Sequence, residues 1–206
     1  MTNITEKIRH RYDRIAPMFD KMDWMVEDKH RRDLLVHVRG NVLEVGVGTG
    51  VNLKFYPKDT NVIGIDFSAK MLSFAKTRAK ESAAHVRLMQ MDVQQMSFAD
   101  NTFDTVVSTC VFCSVPDPIA GLREICRVLK PGGRLLMFEH MLSDHLPIAL
   151  FLHTLNPLVV RMTGANVNRR TMDNLTAAGF TISDLSAVAL FDVFRRIEAV
   201  PNKPEV

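Results

Sequence analysis

The run "VLEVGVGTGVN", residues 42–52, decides the fold. Val42, Leu43, Glu44 and Val45 suit a buried strand, and they lead directly into Gly46, Gly48 and Gly50 at alternate positions. Glycine allows the backbone to turn sharply and leaves no side chain between the main chain and a ligand. In an open parallel sheet, ligands bind beyond the carboxyl ends of the strands. The run therefore predicts the floor of a ligand site at the end of a first strand. A phosphate-binding P-loop is excluded, because no Lys-Ser/Thr pair follows in the required frame. The dinucleotide fingerprint needs glycine at position 51, where the chain has Val51.

Outward from this run, apolar segments alternate with helical patterns. "NVIGIDF", "VRLMQMD", "FDTVVSTCVF" and "GGRLLMFEH" read as further strands. Between them, "SAKMLSFAKTRAKE" reads as a helix with Ser68 as its N-cap, and "PIAGLREICRVLKPGG" as one stopped by Pro131 and two glycines. Alternation of this kind implies βαβ units, with helices covering both faces of a parallel sheet. After residue 140 the pattern changes. A helix is expected from about Thr171 to Gly179, followed by "TISDLSAVAL" and "FDVFRRIEAV", an antiparallel pair at the sheet edge. The predicted fold is α/β: a Rossmann-like, open, mostly parallel seven-stranded sheet with helices on both faces and an antiparallel C-terminal edge pair. Residues 40–200 form the main domain with an insert near 143–170, and residues 1–39 form an N-terminal lid with interfacial helices.

An acidic residue stands at the end of each successive strand. Glu44 precedes the glycines, Asp66 closes the second strand where a ribose diol would be read, and Asp92 closes the third where an adenine amino group would lie. These motifs, with "MDVQQMSFADNTFDTVVSTCVFCSVPDP" and "LREICRVLKPGGRLLMFEH", resemble the successive motifs of class I methyltransferases that use S-adenosylmethionine. The resemblance covers about residues 9–142. It implies that the methionine end of the cofactor lies over Gly46 and Gly48, with Glu44, Gly50, Phe67 and Ser108 in the same set. Asp66 would take the ribose, and Asp92 with the Val93 backbone the adenine. Tyr12, in the pattern "YDRIAPMFD", would close over the cofactor.

Composition narrows the remaining classes. The chain has 206 residues, 47% of them apolar and 24% charged, as in an ordinary globular protein. A net charge of +3, without interleaved basic and aromatic residues, argues against nucleic acid. Cys110, Cys113 and Cys126 are too few for a disulfide framework, and no second pair completes a zinc site, so no metal is expected. The charged N-terminal run has no apolar core of a signal peptide. A reducing, cytoplasmic setting follows, at the inner face of the membrane if the substrate is a lipid.

The ends of the chain bear on the substrate. The N-terminal pattern resembles that of quinone methyltransferases and of bacterial phosphatidylethanolamine N-methyltransferases. Trp24, beside Met22, Met25 and several basic residues, has the composition of a segment lying at a lipid interface. The apolar insert "LPIALFLHTLNPLVV" suits acyl chains, and Arg161, Arg169 or Arg170 would suit a phosphate. Closest in pattern are the bacterial phospholipid N-methyltransferases, implying a phospholipid substrate and peripheral membrane contact. His140 is then the expected proton acceptor for the amine, Tyr12 an orienter, and Glu139 a group attracting the ammonium. Quinone C-methylation, thiol methylation and a non-enzymatic adenosylmethionine-binding role are the alternatives.

Overall fold

The computed structural model describes residues 3–22 and 26–204. Seven strands form one sheet: β1 (Asn41–Val45), β2 (Asn61–Asp66), β3 (His85–Gln90), β4 (Phe103–Thr109), β5 (Leu129–His140), β6 (Phe180–Ala189) and β7 (Phe194–Pro201). Their order is β3-β2-β1-β4-β5-β7-β6. The first five are parallel, β7 runs antiparallel beside β5, and β6 pairs antiparallel with β7. The last strand in the chain is thus inside the sheet, and β6 is the edge. The residues explain this order: β7 alternates buried Phe194, Ile197 and Ala199, whereas the central part of β6 is exposed.

Among the described residues, seven α-helices accompany the sheet: α1 (Asn3–Ile15), α2 (Phe19–Met22), α3 (Asp28–Leu35), α4 (Ala69–Glu81), α5 (Pro118–Val128), α6 (Leu146–Thr163) and α7 (Thr171–Ala177). Ser68 caps α4 by accepting from the Met71 amide at 3.0 Å, and Asp117 caps α5 by accepting from Ala120. α5 ends at Val128, before the proline and glycines expected to stop it, and Leu129 is already extended. β5 then runs through Pro131, with an irregular register against β4 between Phe103 and Thr105.

Both sheet faces are buried. Leu43, Val45, Val106, Leu135 and Met137 face α5 and α7, while Val42, Val107, Leu136 and Phe138 face the layer that includes Leu34, Leu35 and Leu152. The strand order reverses between β1 and β4, so a crevice opens there at the carboxyl ends of the strands.

Candidate functional site

A cleft lies in that crevice, enclosing about 920 Å³ when the solvent at its mouth is counted. Its floor is the loop after β1. All three glycines of that loop have positive φ, but they serve different purposes. At Gly48 (φ +57°) an added Cβ would find only a carbonyl oxygen and a Phe19 ring carbon, both at 3.9 Å, so the missing side chain leaves open space. At Gly50 the same Cβ would meet Leu53 at 2.9 Å and the Ala75 backbone at 3.1 Å. Gly50 therefore seats the loop on α4 and does not line the cleft, contrary to the sequence expectation.

The acids at the strand ends are tightly held. Asp66 accepts from the Gly48 amide at 2.9 Å and the Ser68 amide at 2.8 Å, which fixes its carboxylate at the cleft wall. Burial raises its pKa from 3.8 to about 6, partly offset by those two amides. Glu44 sits under the loop, accepting from Asn52 at 2.7 Å and the Tyr56 hydroxyl at 2.9 Å, and burial raises it to about 7. Asn52 also accepts from Arg31 at 2.6 Å, joining the N-terminal segment to the floor. Asp92 lines the cleft and accepts from the Gln94 amide at 2.9 Å; Val93 and Phe67 are beside it.

The N-terminal segment forms the roof. Tyr12 and Phe19 line the cleft, and the Tyr12 ring lies 5.7 Å from Phe67 and 6.1 Å from Phe19. Burial pushes the Tyr12 hydroxyl well above its ordinary range, so it remains protonated. Polar contacts hold the roof down. Asp13 accepts from Ser68 Oγ at 2.5 Å, and Asp20 accepts from Thr49 Oγ1 at 2.6 Å and Arg78 at 2.5 Å. None of these clasp contacts was evident from sequence, because each joins residues at least 29 positions apart. Trp24 lies outside the described residues.

The far wall corrects several expectations. Ser108 is fully buried within the sheet and donates to Glu139 at 3.1 Å; the residues that line the cleft are its successors Thr109, Cys110, Val111 and Ser114. Glu139 is likewise fully buried and off the lining. Its Oε1 accepts from the Val111 amide at 2.9 Å and the Phe112 amide at 3.2 Å, so it anchors the loop after β4 and presents nothing to a ligand. Burial raises Glu139 to about 7. His140 also does not line the cleft. It packs edge-on to Phe194, 5.8 Å between ring centres, and burial lowers its pKa to about 4. Its place at the end of the fifth strand had made it a candidate base, but it is half-buried against Phe194 of β7 and off the lining.

The arginines separate in the same way. Arg170 pairs with Asp173 on the exposed side of α7, and Arg161 is exposed on α6; neither lines the cleft. Arg169 comes nearer: it donates to the carbonyl of Val115, a lining residue, at 2.6 Å. Its Nε is buried with no hydrogen-bond partner.

Three features fit an adenosylated amino acid: a side-chain-free floor at Gly48, a fixed carboxylate at the end of β2, and an acid with an adjacent apolar wall at the end of β3. Residues 43–137 match the family model described as a methyltransferase domain. That stretch, and the fold and cleft around it, are similar to those of the class I, S-adenosylmethionine-dependent methyltransferases. Among similar proteins, a phosphatidylethanolamine N-methyltransferase of Cereibacter sphaeroides is 40% identical over 60% of this chain and 64% of its own. A ubiquinone/menaquinone biosynthesis C-methyltransferase of Geotalea daltonii is 31% identical over 68% of this chain and 65% of its own. The chain thus spans just under two thirds of the length of these curated relatives. An S-adenosylmethionine-dependent methyltransferase from Thermotoga maritima shares the fold at TM-score 0.71 and 18% identity, covering 93% of this chain and 99% of its own. Gly46, Gly48, Asp66, Asp92 and Tyr12 all line the one cleft.

Proposed function

We propose that the protein N-methylates the amino headgroup of an ethanolamine phospholipid at a membrane surface. The observation that carries this reading is α6. This helix follows β5, where the cleft's far wall lies, and it is apolar with only Leu152 of its 18 residues buried. A water-soluble polar substrate gives no reason for such a helix. The 40% identical relative named for phosphatidylethanolamine supports the same reading. In this reading residues 1–39 act as roof and interfacial segment, residues 143–170 as the lipid-facing insert, and the protein works from the cytoplasmic face of the membrane.

The cofactor brings an activated methyl group on a sulfonium. The chain's own contribution is alignment and exclusion of water. The clasped roof, with Tyr12 and Phe19, shields the reacting centre, and the loop of residues 110–116, held by Glu139, sets the wall against which the amine is aligned. Arg169, already directed at Val115 beside the cleft, is the group suited to the lipid phosphate. No side-chain base is assigned: with His140 off the lining, the amine enters in its minor neutral form, and methylation should quicken as pH rises toward the amine's own pKa.

A second reading is quinone C-methylation, favoured by the 31% identical relative. The two separate cleanly when purified protein is incubated with methyl-labelled cofactor and a total lipid extract. Label in methylated ethanolamine headgroups is expected. Label in the quinone fraction would replace the lipid reading, and label in neither, with cofactor binding intact, would remove both.

A further inference from the structure

The surface of α6 has the reverse of the usual pattern. Leu146 (80% exposed), Leu150, Phe151, Leu158 and Met162 (72%) recur at helix-face spacing and all point outward. A helix on a globular protein normally turns its polar face to solvent. The helix is long and apolar enough to cross a membrane, with mean hydropathy 1.3. Its attachments forbid that. Leu142, just before it, donates its amide to the carbonyl of Arg169, just after it, at 2.9 Å. Arg11 of α1 caps its last turn at the Val160 carbonyl, and Asn166 returns to the Cys113 carbonyl. Both flanks are tied at the carboxyl ends of β4 and β5, so the helix lies along the surface.

A second apolar feature is fixed beside it. The turn between β6 and β7 carries Leu190 (65% exposed) and Phe191 (80% exposed), both with positive φ, +48° and +63°. Bulky side chains seldom adopt that conformation, and a turn facing water would use Gly or Asn there. Such strain persists only where the surroundings impose it. Here they do. Asp192 accepts from Ser143 Oγ and from the Asp144 amide, and Arg195 pairs with both Asp144 and Asp192. The Phe191 ring lies 6.4 Å from that of His145, the residue preceding α6. The turn is thus held at the first turn of the helix.

We propose that the outward face of α6 and the Leu190–Phe191 turn form a single docking surface for a lipid bilayer, with α6 lying in the plane of the interface. The proposal deepens the functional reading above and rests on it for the choice of a bilayer. Charge supports that choice. α6 has no acidic residue and carries Arg161 outward. On α1, Lys7, Arg11 and Arg14 share one helix face, and Arg11 reaches α6 from it, which puts cations next to the apolar stripe. Asp144, the acid beside the turn, is already paired with Arg195 at 2.8 Å. Apolar residues flanked by cations are the composition of an interfacial helix.

The test is flotation of the full chain with vesicles of mixed phosphatidylcholine and phosphatidylglycerol. Wild type and Leu185→Asp, an exposed apolar site in the central part of the edge strand β6, should float alike. Leu190→Asp/Phe191→Asp and Phe151→Asp/Leu158→Asp should each lose about tenfold or more in partitioning. Circular dichroism and adenosylmethionine binding should remain at wild-type values in these variants. Where a variant fails those controls, nitroxide labels at positions 151 and 191 of otherwise unchanged protein take its place, and they should report burial in acyl chains. Flotation unaffected by either double variant, or labels that stay in water, would overturn the proposal. So would a protein that ignores vesicles and sediments as a dimer dissociated by Phe151→Asp/Leu158→Asp, since the face would then bind a second copy. Surface-dependent flotation without methylation of ethanolamine lipid would remove the substrate reading and leave the docking surface standing.

Discussion

The two walls of the cleft are built by different means. On the side of β1, β2 and β3, the contacts come from a continuous run of backbone and from acids at strand ends: Gly48 opens the floor, and its own amide holds Asp66. On the side of β4 and β5, the lining loop is shaped from behind, by a buried carboxylate that touches no ligand-facing space. The first wall tolerates little change at the residues that form the surface. The second depends most on a residue that is not part of the surface. Sensitivity to mutation should therefore follow the support on one side and the lining on the other.

The largest effect is expected at Glu139. Glu139→Ala leaves two amides and a hydroxyl without their acceptor inside the protein, and should cost about 3 kcal/mol of stability, read as a lower urea midpoint at unchanged slope. An unchanged midpoint would mean that packing alone shapes the second wall. The same residue makes stability depend on pH. Its folded pKa of about 7 lies above the ordinary 4.5, so the folded state holds the proton more tightly. That contribution is fully present below about pH 4.5 and is lost as pH rises through 7. Glu139→Gln should flatten the decline, leaving the similar contribution of Glu44.

On the first wall, Gly48→Val puts a branched side chain into the open floor at φ +57°. Adenosylmethionine affinity should fall at least about 100-fold, or roughly 2.7 kcal/mol, in calorimetric titration. Equal affinity would break the contrast, since the floor would then not be a binding surface. Asp66→Ala should weaken binding by about 1.5–3 kcal/mol. Wild-type affinity should also rise with pH through about 6, where Asp66 becomes the carboxylate that accepts hydroxyl protons, and the alanine variant should lack that rise.

The smallest expected effect on activity is at His140. The imidazole is packed on Phe194 and off the lining, so His140→Ala should lower methylation by less than about tenfold while lowering the thermal midpoint. A loss of about 100-fold or more at neutral pH, with cofactor affinity kept, would return His140 to the reaction and give the second wall a working surface group.

The sequence alone determined the mostly parallel sheet, its antiparallel C-terminal pair and the first wall of the cleft. These depend on local signals: a strand running into alternating glycines, Ser68 as a cap three residues before the amide it serves, and one acid at each strand end. Period-2 alternation and turn chemistry are set by neighbours in the chain, so they can be read from it. Tertiary structure decided the rest. The sequence could place Glu139 and His140 at the end of β5, but whether they faced a ligand depended on β4 and β7. One end of the chain brings Asp13, Asp20 and Arg31 over the loop, and their partners Ser68, Thr49, Arg78 and Asn52 are distant in sequence. By composition alone, an apolar insert can be a core helix or a surface one. Only the packing, which buries Leu152 and leaves Leu146, Phe151 and Met162 outside, distinguishes them, because burial depends on what the rest of the chain leaves uncovered.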